Sequence, residues 1–223
     1  MNKLLIFISL ITLVSLKELI IIGNVRAAEM GHILMNIDYH ESSISYCNIL
    51  LTTEPVSYED FNVQITAETG DTWAQFSNNN IFNSFHKQLS NAQTGAIVFL
   101  WFGINYLSRF TDIFSLFGEL ADKYTKLNFY ALPIIGVDES ACSLKNAKIQ
   151  DFNEKMRARI IAAEFPNFEY LDILKDDDPT KIILEGEEVN ILNYNSNGIS
   201  YFRAGYNKIF KALVEALEKK ESK

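Results

Sequence analysis

Few side chains in this sequence could carry out acyl transfer, and they are widely separated along the chain. A hydroxyl nucleophile needs a general base, commonly histidine, within hydrogen-bond reach. Two hydroxyls stand in motif-like surroundings, Thr72 in Gly70-Asp71-Thr72-Trp73 and Ser200 in Asn197-Gly198-Ile199-Ser200. The chain has only three histidines, and all of them lie in its first half: His32, His40 and His86. No histidine therefore accompanies Ser200 in sequence.

Metal chemistry finds equally little support. Cys47 and Cys142 lack the Cys/His spacing of a zinc site, so we expect either one disulfide or two separate buried thiols. The run Asp176-Asp177-Asp178-Pro179 groups three carboxylates without the alternating spacing of a calcium loop. A solvated loop is the better interpretation of this run. We expect no metal and no cofactor.

The composition is that of one folded domain. The 223 residues are 48% hydrophobic and 22% charged, which suits a packed core and excludes wholesale disorder. The formal net charge of -8 argues against a nucleic-acid partner, because phosphate binding needs clustered Lys and Arg.

Residues 1–16 have the pattern of a signal sequence or short anchor. Lys3 is followed by apolar and small hydroxyl residues from Leu4 to Leu16, a run too short to span a bilayer. The alternative is a buried N-terminal element of the domain. We expect a secreted, cell-surface or membrane-attached protein that touches a membrane only through this segment. A cytoplasmic location follows if the segment is not a signal. Residues 17–223 form the domain.

The elements that must position any site alternate between strands and helices. Continuous apolar strands typical of a parallel sheet are predicted at residues 19–23, 96–102, 129–135 and 168–173. Helical periodicity predicts three buried helix faces: Ile113, Leu116, Phe117 and Leu120; Ile149, Phe152, Met156, Ile160 and Ile161; Phe202, Tyr206, Ile209, Phe210, Leu213 and Leu217. This alternation predicts an α/β fold, a three-layer α/β/α sandwich with a mostly parallel central sheet, flavodoxin-like in topology. Residues 36–70 are interpreted as a polar insertion and residues 176–197 as a loop region.

Four sequence blocks in order resemble those of the SGNH (GDSL-type) hydrolases. The first strand runs into Gly23-Asn24-Val25-Arg26, similar to the family's Gly-Asp-Ser at the start of a helix. Leu100 to Tyr106 resembles the strand that precedes Gly-x-Asn-Asp. Ile149 to Asp172 resembles the helix and last strand, and Asn197-Gly198-Ile199-Ser200-Tyr201 resembles Asp-Gly-x-His-Tyr. The resemblance implies an SGNH-hydrolase-like fold from Lys17 onwards.

The same resemblance implies that the catalytic triad is gone. The family's serine, histidine and aspartate correspond to Val25, Ser200 and Asn197, and Asn24 replaces the aspartate beside the serine. Gly103 and Asn105 remain from the third block, where Asn105 could serve as an oxyanion donor. The second block is expected near residues 75–78, which contain no glycine.

These replacements predict a pseudoenzyme that retains at most a groove for a glycan or an acylated small molecule. Trp73, Trp101 and Tyr106 are candidates to line it, although Trp101 at a strand end favours the core. The alternative is an acyl or acetyl esterase, directed at carbohydrates, that uses non-standard residues such as Thr72 or Ser200. The residues before Gly70, 66–69, do not indicate an apolar strand, and the residues that follow, 77–80, do not indicate a helix. A turn is therefore the expected role of Thr72.

Overall fold

The computed structural model describes residues 16–34, 50–52, 56–58, 60–68, 80–102, 104, 107–191, 194, 198 and 201–222. The strands are β1 (Lys17–Gly23), β2 (Leu50–Thr52), β3 (Val56–Tyr58), β4 (Phe61–Glu68), β5 (Ile97–Trp101), β6 (Asn128–Ala131), β7 (Phe168–Tyr170), β8 (Leu174–Lys175), β9 (Asp178–Leu184) and β10 (Glu187–Asn190). The helices are α1 (Val25–Leu34), α2 (Asn80–Asn91), α3 (Phe110–Lys123), α4 (Asn146–Ala163) and α5 (Arg203–Glu221), with a short 3-10 helix at Leu107–Arg109.

The main sheet is built on five parallel strands in the order β4-β1-β5-β6-β7. Leu19 of β1 lies between Val63 of β4 and Ile97 of β5. The short strands β2 and β3 extend the sheet by pairing antiparallel with β4. Numbered along the chain, the parallel strands follow the 2-1-3-4-5 order of flavodoxin-like folds. The predicted α/β class and parallel sheet are confirmed.

Helices cover both faces of the sheet. Leu19 and Ile21 pack with α1 and α5 on one face, whereas Ile20 and Ile22 pack with α2, α3 and α4 on the other. Because successive strand residues point to opposite faces, a strand buried on both sides is apolar throughout. The four isoleucine and leucine side chains are at most 1% exposed, which confirms the predicted sandwich. Among the described helices, none is long and apolar enough to cross a membrane.

Two interpretations of polar stretches were wrong. The presumed insertion at residues 36–70 contains β4, in which Phe61, Val63 and Ile65 are buried and alternate with half-buried polar residues. The presumed loop region at residues 176–197 contains most of the three-stranded antiparallel sheet β8-β9-β10. Two turns connect these strands: Asp176-Asp177 between β8 and β9, and Glu185-Gly186 between β9 and β10. All four turn residues have positive φ, as two-residue hairpin turns require.

Two residues predicted to be buried on helix faces are exposed instead. Ile161 of α4 is 67% exposed and Phe202, directly before α5, is 42% exposed. The remaining residues of the three predicted faces are buried, so the helical periodicity itself is confirmed. Ile161 follows the buried Ile160 by one residue, and adjacent positions on a helix point about 100° apart.

The acidic run has local partners. Asp176 pairs with Lys175, Asp177 accepts a hydrogen bond from Arg157 at 2.5 Å, and the Asp178 carboxylate accepts from the Thr180 amide and hydroxyl. In the part of the chain that the structure describes, no cluster of His, Cys, Asp or Glu could hold a metal ion.

Candidate functional site

The candidate site lies where β1 ends and α1 begins. Gly23 closes the strand, and a Cβ at this position would collide with the Trp101 carbonyl of β5, which explains the glycine. The backbone N–H of Asn24 donates to the same carbonyl at 3.3 Å. Val25 is then the first residue of α1. The carboxyl end of a parallel strand that leads directly into a helix is the place where such sheets carry their sites.

Asn24 caps α1 from a buried position. Its Oδ1 accepts from the Arg26 amide at 3.4 Å, and its backbone carbonyl accepts from Ala28 at 3.1 Å. The side chain is only 3% exposed, and its Nδ2 has no hydrogen-bond partner in the described part of the chain. A buried amide donor left unpaired is costly, so Asn24 is an energetically unfavourable buried polar group directly before Val25.

Most of the other predicted site residues lie outside the described residues. Gly103, Asn105, Asn197 and Ser200 do, as do Thr72, Trp73 and Tyr106. For Val25 the structure describes the backbone. Ile104, Gly198 and Tyr201 are described and show where the third and last blocks run.

Trp101 belongs to the core. It is 2% exposed, and its indole Nε1 donates to the Pro133 carbonyl at 3.2 Å. The ring meets Tyr206 edge-on at 6.4 Å between centroids. The expectation that Trp101 is a core residue, and does not line a cleft, is confirmed.

The segment Leu132–Val137, which continues β6 beyond the sheet, joins the parts of the site. It is buried throughout and has no regular secondary structure. Its five carbonyls from Pro133 to Val137 each accept a hydrogen bond from a side chain, and the donors are Trp101, Asn153, Arg26, Tyr201 and Asn146. A buried irregular segment needs such partners because a desolvated carbonyl without one is costly.

Arg26 is the most unusual donor to this segment. It is 1% exposed, and its guanidinium donates to the Ile135 carbonyl and, at 3.0 Å, to the Gly136 carbonyl. Its carbon lies 4.9 Å from the centroid of the Tyr201 ring. Arg26 therefore connects the start of α1 to the Leu132–Val137 segment and to Tyr201 of the last sequence block.

The last block is fixed at both of its described ends. The Gly198 carbonyl accepts from the Asp138 amide at 2.8 Å, and Gly198 has a φ of 68° where a Cβ would collide with Ala141. The Tyr201 hydroxyl donates to the Gly136 carbonyl. Burial raises the pKa of Tyr201 above its ordinary value, so the hydroxyl remains a donor.

A second buried polar contact lies behind Arg26. The Tyr206 hydroxyl of α5 donates to the Glu29 carboxylate of α1, and both residues are at most 2% exposed. Burial raises the pKa of Tyr206 well above its ordinary value, and the negative charge of Glu29 adds to the effect. Neither this contact nor the contacts of Arg26 were predicted from the sequence. The one available signal was the pair of charged residues, Arg26 and Glu29, inside an otherwise apolar helix.

The strand β4 changes the surroundings of Gly70-Asp71-Thr72. This strand is the neighbour of β1 on the side opposite β5, and Gly70 comes two residues after it. The expectation that no strand precedes Gly70 was wrong. Gly70 and residues 75–78, where the second block of the resemblance was expected, all lie outside the described residues.

His86 of α2 lies on the opposite face of the sheet from α1. Its neighbour Phe85 packs with Ile20 and Ile22, whereas α1 packs with Leu19 and Ile21. The His86 Nδ1 is 2.6 Å from the Tyr124 hydroxyl. Desolvation and the positive charge of Lys123 lower the pKa of His86, against a smaller opposing effect of Glu119. His86 is thus a packed histidine separated from Val25 by the sheet.

The lowered pKa of His86 predicts how stability depends on pH. The unfolded chain protonates this imidazole near its ordinary pKa of 6.5, before the folded protein does. The free energy of unfolding should therefore fall as pH decreases below about 6.5 and stop falling below the lowered folded pKa. Urea unfolding between pH 7.5 and 5 should show a flatter profile for His86→Gln than for the wild type. Parallel profiles would contradict this prediction.

Two cavities are relevant to ligand binding. One of about 550 Å³ opens beside Ile104, next to the end of β5, and has Leu107, Phe110 and Phe152 in its lining. Another, of about 290 Å³, lies beyond the edge strand β7. Arg157, which pairs with Asp172 at 3.0 Å and with Asp177 at 2.5 Å, lines the second one. Only the first adjoins the sequence blocks of the candidate site.

Solved structures similar to this chain share its fold. A Streptococcus pneumonia protein, provisionally named as a platelet activating factor, is 15% identical with a TM-score of 0.50, covering 96% of this chain and 86% of that one. A member of the lipolytic G-D-S-L family from Veillonella parvula DSM 2008 is 17% identical with a TM-score of 0.45, covering 91% and 97%.

No protein-family model matches the sequence, and no curated protein matches it. At the identities of the two structures the likeness shows the fold alone. Together with the sheet order, the likeness to the Streptococcus structure shows the three-layer α/β fold that the sequence predicted. The strand–glycine–helix junction at Gly23 lies where the resemblance to the SGNH (GDSL-type) hydrolases predicts it.

Proposed function

We propose that this protein is a catalytically inactive SGNH-fold protein that binds a ligand instead of hydrolysing an ester. The observation that carries the proposal is the identity of the first residue of α1, Val25, directly after β1. The fold has its serine nucleophile at that junction, and valine offers no nucleophilic atom. Loss of a triad nucleophile costs about a million-fold in turnover in serine proteases, which leaves no useful esterase.

The rigid surroundings of Val25 favour a binding role. Arg26 and Asn24 hold the start of α1, and the Leu132–Val137 segment has a partner for each carbonyl from Pro133 onwards. Ligand sites are largely preformed, apolar concavities with a few fixed polar groups. The cavity beside Ile104, next to the end of β5, is a concavity of this kind, with apolar side chains and Lys148 in its lining. The ligand class is a glycan or an acylated small molecule, and the protein acts at the cell surface or outside the cell.

Hydrolysis of a short-chain activated acyl ester tests the proposal. The full chain should give no turnover above buffer, and a fluorophosphonate probe for nucleophilic hydroxyls should leave it unlabelled. An active serine esterase in the same assay is the positive control, and circular dichroism verifies that the protein is folded. Turnover that the probe abolishes would overturn the proposal.

One observation supports a second candidate, an ester hydrolase that uses Thr72. Thr72, which lies outside the described residues, comes four residues after β4, a buried parallel strand next to β1. Its weakness is the base, because His86 lies on the far face of the sheet. Thr72→Ala separates the two candidates: turnover that this variant loses, while Ser200→Ala retains it, would establish the hydrolase.

A further inference from the structure

A long groove lies between α3 and α4, on the face of the sheet opposite α1. It begins at the cavity of about 550 Å³ beside Ile104 and continues into a cavity of about 350 Å³ that reaches Ala162. Phe110 and Lys155 line both cavities, which makes them one continuous depression. We call this depression the α3–α4 groove; the lining residues that matter below are Phe110, Phe114, Lys148, Phe152, Ala158 and Arg159.

The floor of the α3–α4 groove is apolar along its length. Phe110 stacks on Phe114 with an angle of 8° between the rings, and Phe152 meets Phe110 edge-on at 5.7 Å. Ala158 and Ala162, both exposed on α4, leave the space above this row of rings open. A narrow apolar channel of this kind suits an unbranched chain better than a polar sugar, whose hydroxyls would find few partners.

The rim of the groove is positively charged although the protein carries a net charge of -8. Lys155 is neutralised by Asp151 at 2.6 Å. Lys148 has no carboxylate partner among the described residues, and Arg159 lies over the Phe114 ring at 5.4 Å, also without one. The rim therefore has uncompensated cations at both ends, and Lys148 is the cation in the cavity that begins at Ile104.

We propose that the α3–α4 groove binds a long-chain fatty acid, with the carboxylate at Lys148 and the acyl chain along Phe110, Phe152 and Phe114. This inference rests on the proposed function and names the ligand class, an anionic single acyl chain instead of a glycan. The row of rings accounts for the chain, and the uncompensated ammonium accounts for the sign of the head group.

Isothermal titration of the full chain with dodecanoate, below its micellar concentration, is the first measurement. Dodecanoate should bind, hexanoate should bind at least about tenfold more weakly because six methylenes are missing, and dodecyltrimethylammonium should not bind. A carboxylate cannot be hydrolysed, so this binding is independent of the esterase assay. Ester turnover would overturn the proposed function alone, and failure of dodecanoate to bind an inert protein would overturn the groove alone.

Two pairs of variants locate the binding. Lys148→Glu should weaken dodecanoate binding about fivefold or more, whereas Lys87→Glu, at an exposed lysine of α2, should not. Ala158→Trp fills the groove and should weaken binding about tenfold, whereas Ala163→Trp, also on the exposed surface of α4, should not. All four positions are exposed, so the variants should fold.

Several results would overturn the proposal. Binding of dodecyltrimethylammonium as tight as that of dodecanoate would show that Lys148 does not bind the head group. Equal losses in Lys148→Glu and Lys87→Glu, or in Ala158→Trp and Ala163→Trp, would show adsorption elsewhere on the protein. Loss in only the first member of each pair is the expected result.

Discussion

Replacement of Arg26 by methionine should lower the free energy of unfolding by about 3 kcal/mol, measured by urea denaturation. The Ile135 carbonyl would lose its side-chain donor and the Gly136 carbonyl would keep only Tyr201. An unsatisfied buried carbonyl costs about 1 to 3 kcal/mol, and the lost cation–π contact with Tyr201 adds about 1 kcal/mol or more. Removal of a buried charge offsets part of this loss.

Two controls separate the geometry of Arg26 from its charge. Arg26→Lys keeps the charge but cannot reach both carbonyls with one planar fork, so it should recover less than half of the loss. Arg109→Met removes an exposed arginine that pairs with Asp112 at 3.5 Å and should cost less than about 0.5 kcal/mol. An Arg26→Met variant as stable as the wild type would show that the Leu132–Val137 segment is not stabilised by this side chain.

The parallel strands could be predicted because burial on both faces leaves a direct trace in the sequence. Leu19 to Ile22 are apolar without interruption, and each of these side chains is almost fully buried. The same holds for Ile97–Trp101. The helices were predictable for the related reason that their buried residues recur every three or four positions.

The strand β4 was missed because the parallel strands were expected to be continuous apolar runs, whereas Phe61-Asn62-Val63-Gln64 alternates apolar and polar residues within a long polar stretch. Burial of Thr66, whose hydroxyl donates to the Gln88 side chain at 2.6 Å, further obscured the pattern. The hairpin at Glu185-Gly186 was detectable, since a glycine with flanking β-branched residues is a turn signal. The turn at Asp176-Asp177 gave no such signal.

The hydrogen bonds between Arg26, Asn153 and the Leu132–Val137 segment could not be predicted from the sequence. Arg26 and the Ile135 carbonyl that it contacts are 109 residues apart in the sequence. Every residue has a backbone carbonyl, so the type of residue at position 135 gives no sign of this hydrogen bond. Asn153 shows the same problem: it is bonded to both the amide and the carbonyl of Ile134 at 2.8 Å, yet in the sequence it stands as a polar residue on a charged helix. Only the fold brings these groups together.

Restoring the triad should restore esterase activity only when all three positions change. Val25→Ser alone should give no useful turnover of a short-chain activated acyl ester, because the base position is still Ser200. The triple variant Val25→Ser, Asn197→Asp, Ser200→His should exceed that single variant by about a hundredfold or more, the usual contribution of a positioned general base. Arg26 is the reason to expect success, since its contacts with Gly136 and Tyr201 link the start of α1 to the block that would carry the new histidine.

The matched control is the triple variant with Val25→Ala in place of Val25→Ser, which keeps the new histidine and aspartate but has no nucleophile. It should be inactive and unlabelled by the fluorophosphonate probe, whereas the serine version should be labelled. Equal turnover in Val25→Ser alone would show that another histidine reaches the site, and His32, two turns further along α1, would then be the first to replace. A folded triple variant without activity would contradict the prediction that positions 25, 197 and 200 meet in one site.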